Sequence, residues 1–209
     1  RLQGGALSAY FNVRDYHVGR YLDKLDALSE SLIWEVNKLH SQAAGLSQLT
    51  SLQGTYDVKR TDLPLGGLTS GLHYAERLTS GSFSMYFTRV GDNSSVAPPA
   101  GFESFTLDMA NPPLGNGQVE QFDPSRHSME DLVDAINRSF VDPATGDQLI
   151  TASIENGKLH LTSHEDYSFQ MGSDSTGLCA ALGLNTFFQG TSAAAISINP
   201  LRDKNVAYI

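Results

Sequence analysis

Apolar residues recur in steps of three and four near the start of the chain, and in steps of two beyond residue 80. Over residues 16–41, Leu22, Leu25, Ser29, Leu32, Val36 and Leu39 follow the heptad spacing of a coiled-coil seam, which Leu28 and Ile33 widen. No Pro or Gly interrupts Arg20 to Ala44, so the pattern predicts one long helix that stops at Gly45. Ala6 to Val13 predicts a separate short helix after Gly4-Gly5. An amphipathic helix ordinarily packs its stripe on its own domain. Here no second helix of similar length is visible in the sequence, and the stripe lacks an evident partner.

Residues 46–80 are rich in Gly, Ser and Thr and read as irregular connection with one short strand at Thr55–Lys59. From Gly81 the period is two. Phe83, Met85 and Phe87 alternate with polar neighbours, as do Phe105, Leu107 and Met109, then Ile150, Ala152 and Ile154. Leu159 and Leu161 continue the pattern, and so do Tyr167, Phe169 and Met171. Asn156-Gly157 supplies the positive φ angles of a type I′ hairpin turn. Between these strands one helix is predicted, with Ser128 as N-cap, Asp131 three residues on, and an apolar face of Met129, Leu132, Val133, Ile136 and Phe140. Strand, strand, helix, hairpin, strand is an α+β order, in which one helix covers a mainly antiparallel sheet. Asp92–Gly101 and Asn111–Gly117 read as loops.

Composition narrows the function classes. The 209 residues are 40% hydrophobic, enough for a core, and no run approaches the roughly 20 apolar residues of a membrane helix. The net charge is -9, and no basic stripe suggests a nucleic-acid partner. Residues 1–45 are balanced, with five basic and five acidic side chains, so all the excess acid lies in the remainder. The first residue is Arg1, and we expect a piece of a longer protein.

Candidate chemistry is sparse. Cys179 is the single cysteine, so no internal disulfide or Cys-based zinc site is expected. It falls in a Leu/Ala-rich short helix and reads as a small core residue. His160 and His164 stand about 13 Å apart along a strand, too far to share an ion. Asp142-Pro-Ala-Thr-Gly-Asp147 has carboxylates around a Gly turn but lacks the remaining ligands of an EF-hand. Nucleophile elbow, P-loop and dinucleotide fingerprints are absent. Asn93-Ser-Ser95 and Asn137-Arg-Ser139 are N-x-Ser sequons, the second on the predicted helix. No catalytic residue, cofactor or metal ligand is assigned.

Three stretches carry a family resemblance. One runs from Gly4-Gly-Ala-Leu-Ser-Ala-Tyr-Phe-Asn-Val-Arg-Asp15 to Val36-Asn-Lys-Leu-His40. The second comprises Gly81-Ser-Phe-Ser-Met85, Phe105-Thr-Leu-Asp108, Ser128 to Asn137, Ile150 to Ile154, and Gly157 to Ser163. The third is Gly177 to Gly190 with Ile196-Ser-Ile-Asn-Pro200. Together they resemble the flagellar hook-associated proteins of bacteria, most closely the first junction proteins between hook and filament, and the second stretch looks like the flagellin hook motif. The resemblance implies a helical rod-domain segment over 1–45, a connection over 46–80, an α+β outer domain over 81–190 and an exit segment over 191–209. It implies a non-catalytic, extracellular building block, exported through the flagellum's own type III apparatus. Its implied partners are copies of itself, the hook protein, the second junction protein and an export chaperone. The seam Leu22, Leu25, Leu32, Val36 and Leu39 becomes the expected packing surface. The competing readings are a filament cap protein, which shares the hook motif, and a secreted adhesin or glycan-binding module. The latter needs Tyr56, Tyr86 or Phe102 to line a groove. A wall hydrolase would need carboxylates or His converging in one cleft.

Overall fold

The structure is a computed structural model that describes residues 4–45, 47–114 and 117–200. The chain begins as a continuous helix: α1 (Ala6–Asn12), a π-helical turn over Val13–Val18, and α2 (Gly19–His40). The two expected helices are therefore one, 35 residues and about 52 Å long. The wider π turn carries the backbone through the position where a break was expected. Gly45 is not the stop. Helix α2 ends at His40 because a distant side chain takes over: Asn185 Nδ2 donates to Ser41 O and Ala43 O, both at 3.1 Å.

The remainder is α+β with antiparallel strand pairing throughout the described sheets. Strands β1 (Ser51–Gln53), β4 (Ile150–Glu155) and β5 (Lys158–Ser163) form one sheet in the order β1-β5-β4. Strands β2 (Phe83–Arg89), β3 (Phe105–Thr106) and β6 (Tyr167–Asp174) form a second in the order β3-β2-β6, and β7 (Phe188–Gln189) pairs with β8 (Ser197–Ile198). The expected single sheet is thus split. The chain changes sheets between β5 and β6, where Tyr167 N–H turns back onto His164 O at 2.9 Å. A bridge between Leu49 and Phe169 ties the segment before β1 to the second sheet.

The expected strand at Thr55–Lys59 lies instead at Ser51–Gln53, where pairing with Thr162, Leu161 and His160 decides the matter. Nor is the stretch 46–80 mere connection. Leu52, Val58, Leu65, Leu72, Tyr74 and Ala75 are buried in the core, and two 3-10 turns, Leu68–Ser70 and Ala75–Arg77, shape it. Beyond Thr106 the alternating strand expected through Met109 gives way to a fully buried run, Leu107 to Ala110. There the Asp108 carboxylate accepts backbone N–H groups of Ala110, Leu114 and Glu120 in place of a ladder.

Helix α3 (Met129–Ser139) forms as its sequence dictates. Ser128 Oγ accepts from Asp131 N–H at 3.1 Å, and Asp131 accepts back from Ser128 N–H at 2.9 Å. Its buried face, Leu132 and Ile136, meets Phe83 of β2, Leu159 and Leu161 of β5, and the short buried helix α4 (Leu178–Leu182). Phe87 stands edge-on to Phe105 at 5.1 Å, and Phe140 closes the cluster 5.7 Å from Phe87. Asn137 at the open edge of β4 acts as a substitute strand. Its Oδ1 accepts from Ala152 N–H at 2.7 Å, and its Nδ2 donates to Ala152 O at 3.1 Å.

Candidate functional site

Helix α2 has two unlike faces. One is anchored to the domain through Ile33, Trp34 and Asn37, all buried. Trp34 packs 5.3 Å from Tyr74 and lies under the Arg77 guanidinium, and its indole edge abuts Gly177. Gly177 has φ +77, and a Cβ there would come 3.1 Å from the indole, so both conformation and space call for glycine. One turn on, Asn37 Oδ1 accepts from the N–H groups of Phe187 and Phe188 at 3.0 and 2.8 Å. Its Nδ2 donates to Phe188 O at 3.0 Å. Asp26, further up the helix, accepts Ala193 N–H at 2.8 Å.

The other face carries the predicted seam. Leu22, Leu25, Leu32 and Leu39 are 56, 51, 49 and 75% exposed, and Val36 is half-buried. Ile33, expected to widen the seam, belongs to the anchored face instead. Towards the N-terminus no residue of α1 or of the π turn is buried, and Leu7, Tyr10, Phe11, Val13, Tyr16, Val18 and Tyr21 add to the exposed apolar surface. Scattered apolar side chains on a surface need no explanation; a contiguous strip along several turns marks an interaction surface.

The candidate chemical residues are dispersed. His160 and His164 do not meet. His160 Nδ1 lies 2.9 Å from Glu155 Oε1 and its Nε2 lies 3.0 Å from Ser51 Oγ, while His164 lies 3.8 Å from Asp166. Sequence reasoning missed the Ser51–His160–Glu155 chain because cross-strand pairing of β1 with β5 creates it. Its connectivity matches a nucleophile, base and orienting carboxylate. Acyl transfer also needs an oxyanion hole and a substrate cleft at the Ser51 hydroxyl, beyond the hydrogen-bonded chain itself. Asp142 is buried and paired with Arg89, with Tyr167 OH 3.4 Å away, so it fastens its turn to β2 and β6. Among the described residues, no group of three or more His, Cys, Asp or Glu is placed to hold a metal ion.

No family model and no curated protein sequence matches the chain. The reading of its role therefore rests on its own residues.

Cys179 is fully buried in α4, and burial, with the nearby Asp174 carboxylate, pushes its thiol well up. That leaves it protonated and inert while folded. Of the sequons, Asn137 has its amide committed to β4, whereas Asn93 sits exposed in a turn at φ 56. The groove that a glycan-binding module would need is not assembled from the three expected aromatics. Tyr56 is buried with its hydroxyl donating to Gly190 O, and Tyr86 stands exposed on β2. Phe102 borders a cleft, together with Pro99, Phe105, Val119 and Arg138. Sequence reasoning missed Arg138, since only the fold brings the C-terminal end of α3 against the loop at 92–101. No helix among the described residues is long and apolar enough to cross a membrane.

Proposed function

We propose that this chain is a structural building block of the bacterial flagellum at the junction between hook and filament, and that it performs no catalysis. The observation that carries this reading is the two-faced helix α2. Its Ile33, Trp34 and Asn37 face is fixed to the α+β domain, while leucines at heptad spacing are left in solvent. A helix held at one face and apolar on the other suits lateral packing against further helices. In this reading the helical arm is part of a rod and the acidic domain stands outward, where like charge discourages nonspecific association. The expected neighbours are copies of the chain, the hook protein and the second junction protein, outside the cell, with a chaperone escorting the intact protein to export. The resemblance of the three stretches quoted above supports the same assignment.

Deletion of the gene in its own cell tests this. Cells should keep hooks but lose attached filaments, and the full-length gene should restore them. A full-length variant with Leu25→Glu and Leu32→Glu should be made and exported yet fail to restore them. Normal filaments in the deletion strain would overturn the proposal.

A further inference from the structure

Arg138 is a cation without an assigned counterpart. It sits in the last turn of α3, its guanidinium makes no hydrogen bond or ion pair among the described residues, and its Nε is shut off from water. A charged donor in that position calls for an acceptor. Three of the four acids around it are committed elsewhere, although Asp131 still feels its charge. Asp108 accepts from three backbone N–H groups at 2.7–3.0 Å, Glu120 pairs with Arg126 at 3.4 Å, and Asp131 completes the Ser128 capping box. Asp134, one turn earlier on α3, makes no ion pair among the described residues.

Two clefts meet at this side chain. The wider one is polar, with about 370 Å³ of free volume, and contains Glu120, His127 and Asp134. The narrower is mainly apolar, with about 100 Å³, walled by Pro99, Phe102, Phe105 and Val119. Asp108, whose carboxylate is already held by three backbone N–H groups, also lines it, with Thr106, Gln118 and Ser139. An apolar cavity of about 150 Å³ accommodates benzene; this cleft has about two-thirds of that volume and an open mouth, so a ring enters it with part of its body left in solvent. An apolar pocket with a few convergent polar groups is the ordinary form of a small-molecule site.

We propose that the narrower cleft binds a small apolar carboxylic acid. The ring-sized body lodges between Pro99, Phe102 and Val119, and the carboxylate accepts hydrogen bonds from the Arg138 guanidinium. A carboxylate matches the planar fork of that group better than a single neutral acceptor does. An ammonium head would have to face Arg138 itself. The site is independent of the role assigned to the helix, because α2 contributes nothing to it.

The test is a titration of the ¹⁵N-labelled protein with sodium benzoate, followed by amide shifts, with benzamide and benzylamine in parallel. Benzoate should shift the amides of Phe102, Val119 and Arg138, saturably, and bind more tightly than benzamide. Arg138→Gln should weaken benzoate at least ten-fold and leave benzamide nearly unchanged. Arg138→Lys, which keeps the charge and loses the fork, should fall between. Phe102→Ala should weaken both ligands, and the unliganded spectra of all three variants should remain native. Undiminished benzoate binding by Arg138→Gln would overturn the proposal, as would preference for benzylamine or the lack of any saturable shift around the cleft.

Discussion

Replacing Asn37 by Ala removes the most concentrated set of contacts between α2 and the rest of the chain. Three hydrogen bonds of 2.8–3.0 Å disappear, two of them accepted from the N–H groups of Phe187 and Phe188. Each is worth about 1 kcal/mol net, and a donor stranded without a partner costs about 1–3 kcal/mol. Phe187 and Phe188 are only half-buried, so water reaches part of what Asn37 leaves. Alanine also favours the helix over Asn by about 0.6 kcal/mol. The balance is a loss of about 2 kcal/mol, which lowers the urea midpoint by on the order of 1 M. Trp34, the single tryptophan, lies one turn away on the same face, so its fluorescence reports undocking directly, with circular dichroism following the helix. A loss under about 0.5 kcal/mol, the size of an ordinary surface substitution, would refute the account of Asn37 as the clamp.

Ser128→Ala should destabilise the domain by about 1 kcal/mol, read from thermal or urea unfolding. Burial raises the Asp131 carboxyl, but hydrogen bonds from the Ser128 backbone and hydroxyl outweigh that and hold it below its ordinary value. Its stabilising contribution should therefore be complete above the ordinary carboxylate range and be lost as pH falls through the lowered value. A comparison of wild type with Asp131→Asn from neutral to acid pH checks this, and the difference should shrink towards acid. Cys179 should resist a thiol reagent in the folded protein and react stoichiometrically in denaturant. At low concentration the 209-residue chain should sediment as a monomer or a weak dimer, and Leu32→Glu should abolish whatever association appears.

Local chemistry was legible wherever the deciding contacts are close in sequence. The capping box lies within four residues, and the hairpin turn needs only Asn156 and Gly157, at φ 52 and 76. The strands with clean alternation, β2 and β4 to β6, lie where their periodicity put them. What escaped depends on partners far along the chain. Ser51–Gln53 is a strand because β5 lies beside it, and Thr55–Lys59, with better strand composition, is not. Three asparagines stand in for backbone at a distance: Asn37 on Phe187 and Phe188, Asn137 on Ala152, and Asn185 on Ser41 and Ala43. Nothing in their immediate sequence distinguishes them from turn-forming asparagines. Arg138 escaped for the same reason, since its significance lies in which neighbours are already engaged.

The division of labour on α2 explains how a strongly apolar strip can persist in solvent. If the seam also anchored the helix, association would compete with the subunit's own fold. Here anchoring rests on polar, directional bonds at Asn37 and Asp26 and on Ile33 and Trp34, and the leucines are left out of it. The four seam leucines still have roughly 1 kcal/mol each to gain on burial, since about half of Leu22, Leu25 and Leu32 and a quarter of Leu39 is already shielded. That sum is at the low end of the rigid-body cost of joining two molecules, about 4–15 kcal/mol. One seam therefore does not hold two subunits together firmly. Several seams meeting at once change the balance, because the later contacts form between helices already held in place. On the proposed reading, a surface of this strength keeps single subunits apart and becomes effective only where many are gathered, as lateral packing into a rod would require.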